Sequence, residues 1–257
     1  MLRRVFPSPR LPRPAEPDSL DIVIGRRRVV VAVRRNAVAR RMTLRVKNHT
    51  GQVVLTLPPR ASMRSGLDFV ERQSGWIQKR LADFPAAVPF APGVEIPLRG
   101  VLHRLTYRGV RGGVTRIEPA LRGKQPMIGV FGPRDHLTRR VTEFLKRQAR
   151  KDLERAVAKH AGALGVTVGR LSVKDTSSRW GSCSSKGSLA FSWRLVLAPP
   201  FVLDYLAAHE VAHLREMNHG RRFWALVHRL CAKTDEAEAW LRLNGPSLHR
   251  YGVDDPD

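Results

Sequence analysis

The chain has 257 residues, of which 42% are hydrophobic, and this fraction excludes an intrinsically disordered protein. No apolar run reaches the roughly 18 residues that a membrane-spanning helix needs. Lysine and arginine number 46 against 22 acidic residues, so the formal net charge of +24 favours a polyanionic partner. With two cysteines, a disulfide framework and a four-thiolate zinc site are excluded, which favours a cytoplasmic setting.

The first 19 residues predict a flexible, basic, proline-rich tail. Prolines occupy positions 7, 9, 12, 14 and 17, and no apolar stretch resembles the centre of a secretory signal. Proline at that density also opposes helix and strand formation. We therefore expect neither a signal peptide nor a folded element, and a role for the tail in binding phosphates stays open.

Residues 20–57 alternate between apolar and polar side chains, which is typical of half-buried strands. The apolar positions predict successive antiparallel strands, with a hairpin turn over 48–51. The outward face is basic. It carries Arg41, Arg45 and Lys47, with further arginines nearby at positions 26, 27, 28, 34 and 35. Such a face either binds nucleic-acid phosphates or prevents exposed strands from pairing with other chains.

After Pro58-Pro59, apolar residues at helical spacing predict a helix over 64–84, with Ser62 as its N-cap. Short strands are then predicted between glycines. They fall near 98–107, 114–117 and 127–130. Residues 20–132 are therefore expected to form a β-rich N-terminal region with one helix.

Helical patterning begins at about residue 133. A single apolar stripe predicts a helix of about 30 residues that ends at Gly165, a residue suited to a left-handed C-cap. Strands are predicted over 166–173 and 189–197, and Pro199-Pro200 begins a further helix. We expect an α+β fold in which residues 133–250 form a second domain and 251–257 a C-terminal tail.

This last helix contains His209-Glu210-Val211-Ala212-His213, an HExxH pattern. The two histidines lie about 40° apart around the helix axis and one turn apart along it, so both rings can bind one metal ion. Glu210 is displaced by about 100° from His209, which leaves it beside the ion and within reach of a water molecule there. That is the position of a general base.

Catalytic zinc usually has three protein ligands and one position for water. The predicted third ligand is His219, and Glu216 or a later carboxylate is the alternative. In a continuous helix His219 would lie about 9 Å beyond His213, so the helix must end between them. Asn218 and Gly220, which tolerate left-handed backbone, supply the means for the chain to turn back.

The small residues from Ser177 to Gly187 precede this helix. Within them, Arg179 is a candidate for orienting an acid or binding a substrate carboxylate, and a tight structural turn is the alternative. Cys183 has no CxxC partner and is expected to be a small buried residue. His228 and His249 are further candidates for transition-state donors, each more simply explained as structural.

Three segments resemble the YgjP-like metallopeptidase domain, a family related to the SprT and WLM zincin-like groups. They are RWGSCSSKGSLAFSWRLVLAP at 179–199, YLAAHEVAHLREMNH at 205–219 and RRFWALV at 221–227. The resemblance covers most of the chain, because the basic strands, the helix with Trp76-Ile77 and the long helix occur in the same order. It implies a minimal gluzincin-like fold, zinc on the three histidines and Glu210 as base. Glu216 stands where the longer metzincin pattern has glycine, which disfavours that family.

We therefore expect a zinc-dependent hydrolase, and in particular a metallopeptidase that acts on a peptide or protein with Glu210 as general base. The alternative is a basic nucleic-acid-associated protein that acts on DNA-bound proteins, with the zinc site secondary. A third possibility is a zinc-stabilised binding module without catalytic activity, and Glu210 argues against it because a structural zinc site needs no general base. No membrane association is expected. The sequence leaves the substrate, the transition-state donor and the oligomeric state open.

Overall fold

The computed structural model describes residues 18–25, 27–47, 51–82, 86–111, 113–120, 125–176 and 179–253. These residues contain six α-helices and eleven strands, which confirms the α+β fold. They divide into two compact units, one before and one after residues 83–85. In the described part of the chain, none of the helices combines the length and apolarity needed to cross a bilayer.

The first unit is a four-stranded sheet covered on one face by two helices. Its elements are β1 (Ser19–Ile24), β2 (Arg27–Arg35), β3 (Thr43–Val46), β4 (Val53–Leu57), α1 (Met63–Arg72) and α2 (Ser74–Ala82). As predicted, Ser62 is an N-cap, since its Oγ accepts a hydrogen bond of 3.1 Å from the Ser65 amide. Val70 and Ile77 from the helices and Leu55 from the sheet are fully buried in one core.

Two predictions for this unit need correction. The sheet order is β1-β2-β4-β3, so β2 pairs in parallel with β4 and does not pair with its successor β3. The reason is burial: all five residues of β4 are buried, which suits a central strand rather than an edge. The predicted single helix is interrupted at Gln73. The predicted turn at residues 48–50 lies outside the described residues.

The second unit begins with a sheet that packs against one long helix. Its first elements are β5 (Glu95–Leu98), β6 (Val101–Tyr107), β7 (Arg116–Glu118), β8 (Met127–Val130) and α3 (Leu137–Leu164). The sheet order is β5-β6-β8-β7. Gly165 ends α3 with a φ of 60°, as predicted. Because Leu105 and Ile128 of the sheet share one core with Leu145 and Leu153 of α3, the unit extends across the expected domain boundary at residue 132.

A second, smaller sheet and three helices complete this unit. They are β9 (Leu171–Lys174), β10 (Gly181–Cys183), β11 (Leu189–Ser192), α4 (Pro200–Ala212), α5 (Arg221–Leu230) and α6 (Thr234–Leu248). β11 is central, antiparallel to β10 and parallel to β9. Trp193–Leu197 is a 3-10 helix and not the predicted continuation of β11. The alternation of apolar residues predicted a strand with one buried face, but all five of these residues are buried.

The Arg194 side chain joins the 3-10 helix to the end of α6. Its guanidinium donates to both carboxylate oxygens of Asp175 and to the carbonyl oxygens of Leu248 and Tyr251, over 2.8–3.2 Å. Burial raises the pKa of the Asp175 carboxyl, but the Arg194 hydrogen bond and charge outweigh it and leave this pKa below its ordinary value. The pair therefore stabilises the packing of α6 on the rest of the unit.

Candidate metal centre

The HExxH pattern lies in the last turns of α4, a helix that is buried on nearly every side. Val202, Ala207, Ala208, Val211 and Ala212 are fully buried among β10, the 3-10 helix, α3, α5 and α6. His209 is partly exposed and His213 is 9% exposed. The apolar packing therefore fixes the helix, and the histidines occupy its open side.

The three predicted histidines come together. One ring nitrogen each from His209, His213 and His219 lies within 4.8 Å of the others, and the Nε2 atoms of His209 and His219 are 3.2 Å apart. Two nitrogens on a tetrahedral zinc ion, each bound at 2.0–2.1 Å, are separated by about 3.3 Å. The donor set and its spacing therefore fit zinc.

The chain turns back after α4 as expected, but by another route. The helix ends at Ala212, and the amides of Leu214 and Glu216 donate to the carbonyl oxygens of Val211 and Ala212 in a tightened last turn. Among the described residues other than glycine, Arg99 alone has a positive φ, so Asn218 is not left-handed. Gly220 is extended, with φ −85° and ψ −176°. The prediction that these two residues provide left-handed geometry is therefore wrong, because short-range hydrogen bonds make the turn.

Neighbouring oxygen atoms orient both helix histidines. The Nδ1 atom of His213 lies 3.1 Å from the carbonyl oxygen of Glu216, so Nδ1 carries the proton and Nε2 is left as the basic nitrogen. Glu216, the alternative third ligand, thus contributes its backbone. The Nδ1 atom of His209 lies 3.4 Å from the hydroxyl of Tyr205, which donates a hydrogen bond of 2.7 Å to Glu238. The sequence analysis did not identify Tyr205 or Glu238, although Tyr205 precedes His209 by one helical turn.

The environment of His209 and His213 favours their neutral form. Burial lowers the pKa of His209 to about 4, and the charges that His213 and His219 would carry act in the same direction. The pKa of His213 is also lowered, chiefly by burial. Since neutral imidazole is the metal-binding form, these rings are prepared for an ion.

The side chain of Glu210 extends from α4 toward Gly181 of β10, and the residue is only 4% exposed. Burial raises its pKa to about 7, although the charge of Arg179 acts in the opposite direction. A Cβ atom at Gly181 would lie only 2.5 Å from Glu210 Oε1, so glycine is needed for the close approach of this strand. A carboxyl group that titrates near neutral pH is suited to accept and return a proton.

Arg179 is exposed next to β10, and its carbonyl oxygen accepts a hydrogen bond of 2.7 Å from the Thr176 hydroxyl. Its backbone therefore takes part in a local turn, while its charge reaches Glu210. Both interpretations of Arg179 from the sequence agree with this geometry. Arg179 is thus an exposed cation whose charge acts on Glu210.

Aromatic residues of α5 support the histidines from the other side. Phe223 is fully buried and stacks on His213 with ring centroids 4.5 Å apart, and its ring centroid lies 4.6 Å from that of His219. Trp224 lies 6.0 Å from His219. The sequence analysis did not predict this role and included Phe223 and Trp224 only in the segment RRFWALV. Aromatic residues at helical spacing are usually part of the core and do not by themselves indicate a site.

The remaining candidates lie outside the histidine cluster. Cys183 is partly exposed and not buried as predicted; its thiol donates to the carbonyl oxygen of Ser184, and partial burial raises its pKa. His228 is on the exposed side of α5, 3.8 Å from Asp235. His249 is buried with its ring 4.9 Å from that of Trp180. These contacts agree with structural roles.

Comparisons with known proteins identify a family and a similar solved structure. A family model described as YgjP-like, metallopeptidase domain, matches residues 40–244. Among solved structures, the chain is similar to the metallopeptidase zymogen jannalysin of Methanocaldococcus jannaschii. The identity is 21%, the match covers 36% of this chain and 95% of that one, and the TM-score is 0.32. The search of curated proteins found no match.

Proposed function

Because the chain belongs to the YgjP-like metallopeptidase domain family, we propose that it is a zinc-dependent peptidase in which His209, His213 and His219 hold the metal. The observation that carries the proposal is the convergence of three imidazole rings beside one buried carboxyl group. A bound zinc ion supplies Lewis acidity, which polarises a carbonyl group and acidifies a water molecule. A purely structural zinc site uses four protein ligands, whereas this cluster offers three.

In this proposal Glu210 moves the proton. Its carboxylate accepts a proton from the attacking water and then delivers it to the leaving amine of the peptide. Contact with Gly181 holds the side chain on the β10 side of α4. Arg179 is proposed to orient the substrate through a carboxylate group, because it is exposed and its charge acts on Glu210.

The strand beside Glu210 favours a peptide substrate. Within the described residues, β10 pairs only with β11, so its other edge has free amide and carbonyl groups. An extended peptide that added to this edge would form main-chain hydrogen bonds and pass next to Glu210. This supports a peptide or unfolded protein as substrate and leaves side-chain preference to other groups.

The test is metal analysis joined to an activity assay on unfolded proteins. We expect about one zinc ion per wild-type chain and a strong loss of zinc in His209→Ala, His213→Ala and His219→Ala. The matched control is His228→Ala, an exposed histidine outside the cluster, which should keep the metal. Glu210→Gln should keep zinc and lose turnover, because the water then has no proton acceptor. Full zinc content in His219→Ala would refute the three-histidine site.

One observation favours a second candidate function, association with nucleic acid. The face of the first sheet opposite α1 and α2 exposes Arg28, Arg34 and Arg45, because their neighbours along β2 and β3 face the core. Arg35 lies on the other side of β2 and donates to the carbonyl oxygens of Pro58 and Ala61. We propose that this basic face binds phosphate backbone without reading bases, since no aromatic residue lies on these strands.

The salt dependence of binding to a short DNA duplex tests this candidate. Replacing Arg28, Arg34 and Arg45 by glutamine should reduce the slope of log K against log salt by about 0.9 for each lost phosphate contact. The control replaces Arg64, Arg72 and Lys79, exposed on the helices of the same unit, with the same change in charge. Equal slopes for the two triple variants would assign the binding to net charge alone.

A further inference from the structure

Two residues outside the proposed ligand set connect α6 to the metal centre. Tyr205 lies on α4 one turn before His209 and is 4% exposed. Its hydroxyl oxygen lies 2.7 Å from Glu238 Oε1 and 3.4 Å from His209 Nδ1. Glu238 belongs to α6 and comes 29 residues after His209 in the chain. The three groups form a continuous path from the surface of α6 to the histidine.

The direction of each hydrogen bond follows from which groups can donate. An ionised carboxylate only accepts, so the single hydroxyl proton of Tyr205 goes to Glu238. The hydroxyl oxygen is then left with lone pairs, and the contact with His209 requires a proton on the Nδ1 atom of that ring. His209 is thereby fixed in the tautomer whose Nε2 lone pair is free. That same Nε2 atom lies 3.2 Å from His219 Nε2, within the proposed site.

We propose that Tyr205 and Glu238 are positioning residues that set the tautomer and ring orientation of His209 for metal binding. This inference rests on the proposed metal site. Glu238 acts only through the Tyr205 hydroxyl, and neither residue touches the metal. His213 has the same arrangement in a simpler form, because a backbone carbonyl takes the place of the tyrosine.

The expected size of the effect follows from the geometry. Loss of an outer hydrogen bond to a metal-binding histidine typically weakens metal affinity by about 10- to 100-fold. The bond to His209 is 3.4 Å long, beyond the usual 2.7–3.2 Å range for such bonds, which places Tyr205→Phe near the lower limit, about 10-fold. Glu238→Gln keeps an acceptor oxygen, so about threefold weakening is expected.

The experiment measures the zinc dissociation constant of Tyr205→Phe, Glu238→Gln and the double variant by competition with a chromophoric chelator. The double variant should bind zinc no more weakly than Tyr205→Phe, because among the described residues Glu238 reaches His209 through the Tyr205 hydroxyl. The controls are Tyr107→Phe and Glu236→Gln, the latter an acid on the same helix whose partner is Lys233. The proposal would be overturned if the losses of zinc affinity in the two single variants multiplied in the double variant. It would also be overturned if Tyr205→Phe bound zinc as tightly as the wild type.

A second readout needs no metal. Nitrogen-15 NMR of the histidine rings in the zinc-free protein should show His209 protonated at Nδ1, and Tyr205→Phe should shift it toward the Nε2-protonated form. An Nε2-protonated His209 in the wild type refutes the positioning role. Thermal unfolding of each zinc-free variant checks that it folds, and Glu238→Gln changes only an exposed residue. Zinc binding without peptide hydrolysis would reject the peptidase and leave this test intact.

Discussion

Replacing Gly181 by alanine tests whether the position of the Glu210 carboxyl group controls turnover. The added Cβ would lie 2.5 Å from Oε1, 2.7 Å from Cγ and 2.8 Å from Cδ of Glu210. Ordinary contacts begin at 3.4 Å, so the side chain has to move by about 1 Å. Rotation about the last torsion moves only the oxygens and leaves the contact with Cγ in place. The whole carboxyl group is therefore displaced.

A displacement of 1 Å at a reacting group can reduce the rate by about 100-fold, which corresponds to about 2.7 kcal/mol in the activation barrier. We expect Gly181→Ala to lose about that factor in kcat on an unfolded protein substrate. Its zinc content should be unchanged, because the atoms nearest to the added Cβ belong to Glu210 and not to a histidine. Gly162→Ala is the matched control, since nothing lies within 4 Å of the new methyl group.

The assay compares kcat, KM and bound zinc for the three proteins. Wild-type turnover in Gly181→Ala would mean that Glu210 is not the base or that its position does not matter. Loss of zinc together with activity would instead show that the strand supports the metal site as a whole. The reasoning is supported only if kcat falls while zinc remains.

Arg194→Leu should lower the free energy of unfolding by about 3 kcal/mol in urea titrations, because the Leu248 and Tyr251 carbonyl groups lose their buried donor. Arg150→Leu, which breaks an exposed pair with Glu154, should cost under about 0.5 kcal/mol. The pKa of Asp175 is lower in the folded than in the unfolded state, so the pair's contribution is complete above about pH 4 and is lost as the pH falls further. The difference in stability between wild type and Asp175→Asn should therefore shrink in acid, and a constant difference would contradict this. Zinc at 100 times its dissociation constant should stabilise the wild type by about 2.7 kcal/mol, a gain that a chelator removes and that His219→Ala abolishes in thermal unfolding.

Elements with local signals could be predicted from the sequence. The apolar stripe and Gly165 give the extent of α3, and Pro200 gives the start of α4, because both boundaries depend on backbone preferences of single residues. Helix geometry also predicted that the chain turns between His213 and His219 if His219 is the third ligand. A continuous helix would have carried His219 too far from His213, so the chain had to turn.

Features that depend on distant contacts could not be predicted. The parallel pairing of β2 with β4 is decided by which strand is most deeply buried, and alternation within each strand carries no such information. The 3-10 helix after β11 was not predicted. All five of its residues are buried, so the spacing of its apolar residues does not distinguish a helix from a strand. Glu238 has no local signal, since its contact with Tyr205 spans 33 residues.

The position of α6 in the chain has a consequence for the order in which the site matures. The three histidines and Glu210 have all been synthesised once residue 219 has emerged, but Glu238 and the carbonyl groups bound by Arg194 come later. In a zinc-free nascent chain, before α6 has packed, His209 would therefore lack the Glu238 contact that is proposed to fix its tautomer. The proposed zinc ligands are therefore complete before α6 packs, whereas the contact that orients His209 forms only after α6 has packed.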